Sequence, residues 1–205
     1  MPVKKAKVLR KAKGGYHHGD LKTSLKQTAL RLVRERGPRG FSLNEASRLA
    51  GVSVAAPYRH FDDKDALLAE IARDGYELLE REICRSVEKR GSLRDQIVES
   101  GMAYLRFARN HVDYFSVMFQ SGLDRSKYPE IERSVKAGLG VILDLAKQYE
   151  RTPELAEVRA VSAWALVHGL AGLDQDGALS NATGKARTLE QFRPILEHFV
   201  DQPYS

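Results

Sequence analysis

The chain has 205 residues, of which 42% are hydrophobic and 29% charged, the balance of a globular protein rather than a disordered one. Its apolar runs are only a few residues long, whereas a membrane-spanning helix needs roughly 20, so no membrane span is predicted. The basic N-terminus lacks the apolar segment of a secretory signal, and the single cysteine, Cys84, fits a reducing cytosol, so a cytoplasmic location is expected.

The net charge of +6 is unevenly distributed along the chain. Residues 1–64 carry a net charge of +10, and residues 65–205 carry −4. A basic end of this kind suggests binding to a polyanion, and the alternative is a basic tail that only aids solubility. Residues 1–19 contain six lysines and arginines and few apolar residues, so we expect a flexible basic arm there.

The first two helices have clear sequence signals. Residues 20–36 are predicted to form a helix because apolar residues recur on one face, at Leu21, Leu25, Ala29 and Leu32. A second helix follows Ser42, an N-cap candidate that forms a capping box with Glu45. Gly51 is expected to end this helix, because a left-handed residue after a helix is usually glycine.

A third helix of about two turns is predicted over Val54 to His60. Ser53 would cap it, and Pro57 would lie in or next to its first turn, where a missing N–H is tolerated. Val54, Pro57 and Phe61 are expected to face inward. The side chains left facing outward are Ala55, Ala56, Arg59 and His60.

The rest of the chain is also predicted to be helical. A fourth helix, capped by Asp62 or Asp63, is expected from Lys64 to about Lys89. Further helices are predicted over residues 92–110, 112–120, 129–150, 153–174 and 187–200, with the Gly177–Gly184 region among the breakers. Neither strand alternation nor an internal repeat is evident, so the predicted fold is all-α with about nine helices.

The second and third helices have the pattern of a helix-turn-helix, because a glycine joins them and the second has a small, polar outer face. Such a helix fits a major groove ~12 Å wide, where small or polar side chains reach the base edges. Helices joined by glycine occur in any bundle, so the positive charge around this pair adds weight to the interpretation.

Four blocks in this region resemble the DNA-binding region of the tetracycline-repressor (TetR) family, in the right order over about residues 21–70. They are Phe41-Ser42-Leu43-Asn44-Glu45-Ala46, Ala50-Gly51-Val52-Ser53, Pro57-Tyr58-Arg59-His60-Phe61 and Lys64-Asp65-Ala66-Leu67-Leu68. The segment from Tyr16 to Leu21 resembles a subset of the family. Trp164-Ala165-Leu166-Val167-His168-Gly169-Leu170 is similar to its Trp-His-Gly type of C-terminal domain. Two residues depart from the usual pattern: Ala46, where a larger aliphatic residue is common, and Ser47, where alanine is common.

The resemblance implies a homodimeric transcription factor, usually a repressor, without a cofactor. Each third helix would enter a major groove of a near-palindromic double-stranded operator, and a small molecule in the C-terminal core would release the DNA. The implied domains are a basic arm (residues 1–19), a helix-turn-helix domain (residues 20–65) and a ligand-binding and dimerisation domain (residues 66–205).

The resemblance also assigns DNA contacts to particular residues. The expected phosphate contacts are Ser42, Ser53, Tyr58, His60 and Lys64. Base contacts are expected from Ala55 and Ala56, through thymine methyl groups, and from Arg59, through guanine. Arg59 alternatively binds a phosphate. For Ser42 and Ser53, a purely structural capping role remains open.

Aromatic residues and methionines in the second domain are candidate ligand contacts: Tyr104, Phe107, Phe115, Met118, Trp164 and His168. Trp164 and His168 lie four residues apart, on one face of a helix. Side chains of this kind more often form the core of a helical bundle, and that alternative stays open for the whole set.

The last two predicted helices are the expected dimer face, as in the family. Small residues that permit close helix approach are Ala160, Ala163, Val167, Gly169, Ala171 and Gly172. The final helix offers an apolar stripe of Phe192, Ile195, Leu196 and Phe199. An intrachain core is the alternative for these residues.

Two other classes of protein compete with this interpretation. An enzyme is disfavoured because the sequence has no nucleophile elbow, no metalloprotease motif and no phosphate-binding glycine loop. A non-specific architectural DNA-binding protein is the alternative function, and it predicts binding that depends on salt but not on sequence. The acidic, aromatic-rich second domain argues against it, because such a protein needs no ligand pocket.

Overall fold

The computed structural model describes residues 18–88 and 91–203. Its α-helices are α1 (His18–Arg36), α2 (Leu43–Leu49), α3 (Lys64–Val87), α4 (Leu93–Asn110), α5 (Val112–Gln120), α6 (Pro129–Tyr149), α7 (Pro153–Gln175), α8 (Ala178–Thr183) and α9 (Arg193–Asp201). The described residues contain no strand, which confirms the all-α prediction. Residues 1–17, most of the predicted basic arm, lie outside the described part. No helix within the described ranges is long and apolar enough to cross a membrane.

The first two helices form close to the predicted positions, but α1 begins at His18 rather than at residue 20, and only the Ser42 half of the predicted capping box forms. The buried positions of α1 include Leu25, Ala29 and Leu32. Ser42 caps α2, because its hydroxyl accepts a hydrogen bond from the Glu45 N–H at 3.2 Å. The Glu45 carboxylate accepts a hydrogen bond from Arg36 at 2.7 Å, which joins α2 to the end of α1. Gly51 has a φ of +73°, so the predicted left-handed residue is confirmed.

The two departures from the family pattern are accommodated inside α2. Ala46 and Ser47 are both fully buried. The Ser47 hydroxyl donates a hydrogen bond to the Leu43 carbonyl, one turn earlier, at 2.7 Å. The buried hydroxyl is therefore satisfied within its own helix and needs no partner in the core.

The predicted third helix is not an α-helix. Residues 53–61, here called the recognition segment, contain a single 3₁₀ turn at Pro57–Arg59 whose N-cap is Ala56 rather than Ser53. Pro57 has no N–H to bond the Ser53 carbonyl, so the tighter i to i+3 pattern forms instead, as from Ala56 N–H to Ser53 O at 3.0 Å. Val54 is 44% exposed, not inward-facing as predicted, whereas Pro57 and Phe61 are buried.

The helix α3 links the two halves of the molecule. Asp63 caps it by accepting a hydrogen bond from the Ala66 N–H at 2.8 Å, which resolves the choice between Asp62 and Asp63. Its N-terminal part carries the buried Leu67, which belongs to the same continuous core as Leu25 of α1. The same helix also packs against α4, α5 and α6, so it runs from the helix-turn-helix into the C-terminal bundle.

The C-terminal bundle ends differently from the prediction. Residues 178–183, expected from the sequence to be a breaker, form the short helix α8, bounded by left-handed Gly177 and Gly184. The helix predicted over residues 187–200 is divided into a 3₁₀ turn at Leu189–Phe192 and α9. Pro194 at the start of α9 explains this break, because proline favours the first turn of an α-helix.

Half of the residues of the predicted dimer face are buried inside one chain. Ala160, Val167 and Ala171 of α7 are at most 6% exposed, and so are Phe192 and Leu196. These residues therefore belong to the intrachain core. The sequence shows that α7 has apolar residues on more than one side, but the intrachain packing decides which side is covered. The exposed side of α7 carries Val158, Val161, Ala165, Gly169 and Leu173.

Candidate nucleic-acid interface and ligand cavity

The expected DNA contacts lie on three neighbouring elements: the start of α2, the recognition segment and the start of α3. Ser42, Ser53, Ala55, Tyr58 and Arg59 are exposed. Tyr58 is 53% exposed, and its hydroxyl lies 3.5 Å from Oδ1 of Asn44 on α2. This contact brings the recognition segment against α2, so the polar groups of both elements share one surface.

Ala56, His60 and Lys64 are half-buried members of the same set. The His60 ring lies 6.4 Å from that of Phe61, which anchors the segment in the core. The Lys64 ammonium lies 5.5 Å from the centre of the Phe41 ring and 3.5 Å from the Pro38 carbonyl oxygen. Lys64 thus sits beside the loop that precedes α2, where its positive charge adds to the N-terminus of that helix.

Sequence reasoning overlooked Asn44 and Arg48 on this surface. Both side chains are exposed on α2. Asn44 follows the N-cap Ser42 by two residues, a position close to any phosphate bound at that helix end. Their exposure follows from the α2 periodicity, because Leu43, Ala46 and Ser47 occupy the buried face.

The C-terminal bundle contains an apolar cavity of about 70 Å³ between α3, α4, α5, α6, α7 and α9. Two of the residues predicted as ligand contacts, Tyr104 and Trp164, line it. Phe107, Phe115, Met118 and His168 are not among its lining residues. Phe107, Phe115 and Met118 are instead core residues with at most 3% exposure. Helical periodicity identifies an apolar face but not the part of that face left unfilled.

His168 contacts the cavity indirectly, through Tyr104. Its Nδ1 lies 2.9 Å from the Tyr104 hydroxyl, and its ring packs 4.6 Å from Phe119 and 5.7 Å from Phe115. Burial lowers the pKa of His168, and the positive charge of Arg125 lowers it further. Burial raises the pKa of Tyr104, so at neutral pH this is a hydrogen bond between two uncharged groups.

Tyr76 is a cavity residue with a polar group that sequence reasoning missed. It lies on α3, lines the cavity and is 5% exposed. Its buried hydroxyl has no hydrogen-bond partner among the described residues. Burial raises its pKa to about 12, so the hydroxyl stays protonated at physiological pH. A sequence signal existed, because Tyr76, Leu79 and Ile83 form one helical stripe and all three line the cavity.

Hydrogen bonds and α3 itself connect the cavity to the helix-turn-helix. Arg34 of α1 donates to the Asp113 carboxylate of α5 at 2.9 Å, and Asp113 is only 7% exposed. Arg39, in the loop after α1, donates to the Ser121 carbonyl at 3.4 Å. Along α3, Lys64 and Tyr76 are about 18 Å apart, 12 residues at 1.5 Å per residue. The cavity and the polar surface are therefore joined by one continuous helix, and two hydrogen bonds join the C-terminal bundle to the segment before α2.

Comparisons with known proteins agree with this architecture. Residues 26–71 match the family model of bacterial regulatory proteins of the tetR family. Residues 97–199 match the tetracyclin repressor-like C-terminal domain model. A search of curated proteins finds no match.

Solved structures share the fold over nearly the whole chain. A protein of unknown function from Rhodococcus sp. RHA1 is 27% identical, with a TM-score of 0.76 over 90% of this chain and 95% of its own. The fatty acid degradation regulator FadR from Bacillus halodurans is 10% identical, with a TM-score of 0.70 over 90% and 96%. AibR, solved with isovaleryl coenzyme A and operator DNA, is 17% identical, with a TM-score of 0.68 over 90% and 100%.

The two family models cover the helix-turn-helix and the C-terminal bundle separately, in the order in which the structure presents them. The first corresponds to the polar surface of α2, the recognition segment and α3, and the second to the bundle that holds the cavity. Regulation through DNA binding, rather than catalysis, is the activity of proteins with this pair of domains. The chain is a DNA-binding transcriptional regulator and belongs to the TetR family.

Proposed function

We propose that the protein is a homodimeric repressor that binds a near-palindromic operator and is released by a small molecule in its C-terminal cavity. Residues 20–65 would form the DNA-binding domain and residues 66–205 the ligand-binding and dimerisation domain. The observation that carries the proposal is α3, whose first residue, Lys64, lies at the polar surface and whose Tyr76 lines the cavity.

On the DNA side, the recognition segment enters the major groove. Ala55 and Ala56 contact thymine methyl groups, and Arg59 contacts a guanine. Phosphates receive hydrogen bonds from Ser42, Ser53, Tyr58, His60 and Lys64. Exposure of Ala55, Tyr58 and Arg59 supports these roles, since a base or phosphate contact requires an accessible side chain.

Release follows from a shift between two arrangements of the domains. A ligand in the cavity contacts Tyr76, Leu79 and Ile83 of α3, and the arrangement it favours displaces Lys64 and the recognition segment. The Arg34–Asp113 pair transmits the same displacement to α1. A coupling free energy of ~1–3 kcal/mol is typical of such systems, and the ligand must bind the DNA-incompetent form more tightly by that amount.

Dimerisation uses the exposed side of α7. Val158, Val161 and Leu173 are 46%, 50% and 47% exposed, which is unusual for large apolar residues on one helix. Small residues between them, Ala165 and Gly169, permit close approach of a second copy. A two-fold axis through this face would match the symmetry of a palindromic operator.

One neighbour supports a small-molecule effector, and a second supports a regulatory role. AibR is solved with both isovaleryl coenzyme A and operator DNA, and FadR regulates fatty acid degradation. Both share the two-domain fold. Their functions make ligand-controlled DNA binding the favoured interpretation here.

The proposal is tested by selecting bound sequences from a random DNA pool at about 150 mM salt. Enrichment of an inverted repeat is the expected result, because two recognition segments related by a two-fold axis read two half-sites. Binding without enrichment, lost as the salt concentration rises, would refute the specific regulator and favour the architectural alternative.

The same selection with Arg59→Ala tests base recognition. Loss of a bidentate contact to guanine costs ~1–3 kcal/mol of discrimination, so preference at one base pair of each half-site should relax. Arg151→Ala is the matched control, because Arg151 is an exposed arginine in the C-terminal bundle. An unchanged sequence profile for Arg59→Ala, with weaker binding overall, would make Arg59 a phosphate contact.

A further inference from the structure

The walls of the C-terminal cavity have no charge. None of its lining residues, all within the described part of the chain, is an aspartate, glutamate, lysine, arginine or histidine. The lining consists mainly of aliphatic and aromatic side chains such as Ile83, Leu139, Ile142, Val167, Leu196 and Phe199. A charged group placed there would lose its hydration without gaining an opposite charge, which is strongly unfavourable.

Most polar groups of the lining are already engaged. The Ser100 hydroxyl donates to the Ile97 carbonyl at 2.6 Å. The Tyr104 hydroxyl is shared between His168 and Trp164. The Tyr76 hydroxyl differs from both, because it is buried and has no hydrogen-bond partner within residues 18–88 and 91–203. A buried donor left in this state is unfavourable, and a ligand oxygen that accepts its hydrogen bond removes the penalty.

Arg125 packs against two aromatic rings of the cavity wall but lies outside the cavity. The Arg125 guanidinium sits 5.8 Å from the centre of the Tyr76 ring and 6.0 Å from that of Phe119. It donates a hydrogen bond to the Met118 carbonyl at 2.8 Å, and its side chain is exposed. The two rings line the cavity while Arg125 does not, so the guanidinium is not presented to a bound molecule.

We propose that the effector is an uncharged, mainly apolar small molecule with one hydrogen-bond acceptor, such as a ketone or ester oxygen, that binds the Tyr76 hydroxyl. This proposal rests on the small-molecule response proposed above and names the chemical class of its ligand. The apolar part occupies the space between α4, α6 and α7 and extends through the side of the cavity that is open to solvent. The hydrogen-bond acceptor of the ligand lies at the α3 wall, so a bound ligand directly contacts the helix that carries Lys64.

The test uses four probes of one chain length: octan-2-one, octanoate, octylammonium and oct-1-ene. Trp164 is the only tryptophan of the chain and lines the cavity, so its fluorescence reports occupancy without a label. Dissociation constants are measured for the wild type and for Tyr76→Phe, which removes only the hydroxyl. Tyr114→Phe is the matched control, because Tyr114 is a half-buried tyrosine that does not line the cavity.

For the wild type, octan-2-one should bind at least tenfold more tightly than octanoate or octylammonium. Tyr76→Phe should raise the dissociation constant of octan-2-one about fivefold, the usual effect of one lost hydrogen bond, and should not raise that of oct-1-ene. Tyr114→Phe should leave all four dissociation constants unchanged. The affinity for octan-2-one should also be constant between pH 6 and 9, because no charged form of Tyr76 takes part.

Three results would overturn the proposal: octanoate binding as tightly as octan-2-one, an unchanged octan-2-one affinity in Tyr76→Phe, or no response of Trp164 to any probe up to its solubility. Titrations of the wild type alone test the first and third of these results, even if Tyr76→Phe does not fold. DNA is absent from these titrations, so they are independent of the proposed regulation. If octan-2-one binds most tightly but does not release a selected operator, the proposed release of DNA by a ligand is refuted, whereas the proposed chemical class of the ligand is supported.

Discussion

Gly51 shows how a single residue shapes the DNA-binding region. Its φ of +73° lies in the left-handed region, and a Cβ added there would meet no atom within 4 Å. Gly51→Ala should therefore lower the free energy of unfolding by ~1–2 kcal/mol through backbone conformation alone, and Gly51→Asn by less. Urea unfolding measures both.

Gly140→Ala is the control for Gly51, because Gly140 lies within α6 and a Cβ added there would also meet open space. Since alanine is the better helix former, this change should stabilise the protein by up to ~1 kcal/mol. Equal effects of Ala and Asn at position 51 would contradict the backbone explanation.

His168 gives the stability of the protein a pH dependence of known sign. Burial lowers its pKa, so below pH ~6.5 the unfolded chain binds a proton at this site more readily than the folded chain. Acidification from pH 7 toward 5 should therefore destabilise the wild type more than His168→Phe. Urea midpoints across this range measure the difference, and His198→Phe, at an exposed position on α9, is the control. Parallel curves for wild type and His168→Phe would contradict the assignment.

At the scale of elements, one buried arginine fixes the position of α9. Arg159 of α7 is 2% exposed, pairs with Glu150, and donates to the carbonyls of Val200 at 3.2 Å and Gln202 at 2.9 Å. Its hydrogen bonds occupy the last carbonyls of the helix that lines the cavity with Leu196 and Val200. Nothing in the amino-acid pattern around Arg159 indicated this role, because the carbonyl groups that it binds are about 40 residues away.

Arg159→Met should lower the free energy of unfolding by ~3–5 kcal/mol, because it leaves the Glu150 carboxylate buried without its partner. The double variant Glu150→Gln/Arg159→Met should recover part of this loss. Urea unfolding measures both, with Arg151→Met as an exposed arginine control that should change stability by less than ~0.5 kcal/mol. A double variant no more stable than Arg159→Met would show that the carbonyl contacts, rather than the ion pair, dominate.

At the scale of the whole molecule, the proposed dimer depends on the exposed side of α7. Val161→Glu places a charge at the centre of that face, so sedimentation velocity should show a monomer. The thermal stability of the individual chain should be unchanged. Operator affinity should fall, because two half-sites are then bound independently. Val112→Glu is the control, since Val112 is 42% exposed but lies on α5. A dimeric Val161→Glu together with a monomeric Val112→Glu would move the interface to α5.

The limits of prediction differ between the two sites. The helix-turn-helix was largely predictable, because caps such as Ser42 and Asp63 and the turn at Gly51 act within a few residues of the chain. The recognition segment is the exception: Pro57 is compatible with the first turn of an α-helix, but its missing N–H favours a 3₁₀ turn in so short a segment. For the cavity, Tyr104 and Trp164 are among the lining residues and their role as ligand contacts stays a prediction, whereas Phe107, Phe115 and Met118 are core residues.

The amino-acid sequence by itself determined the all-α class, most helix boundaries and the family, because periodicity, capping and short motifs are local properties. Only the tertiary structure decided which apolar faces meet. It buried Ala160 and Val167, left Val161 exposed, and left a void beside Tyr76. The physical reason is that burial and cavities depend on the relative packing of helices distant in sequence, and one helical stripe is compatible with several such arrangements.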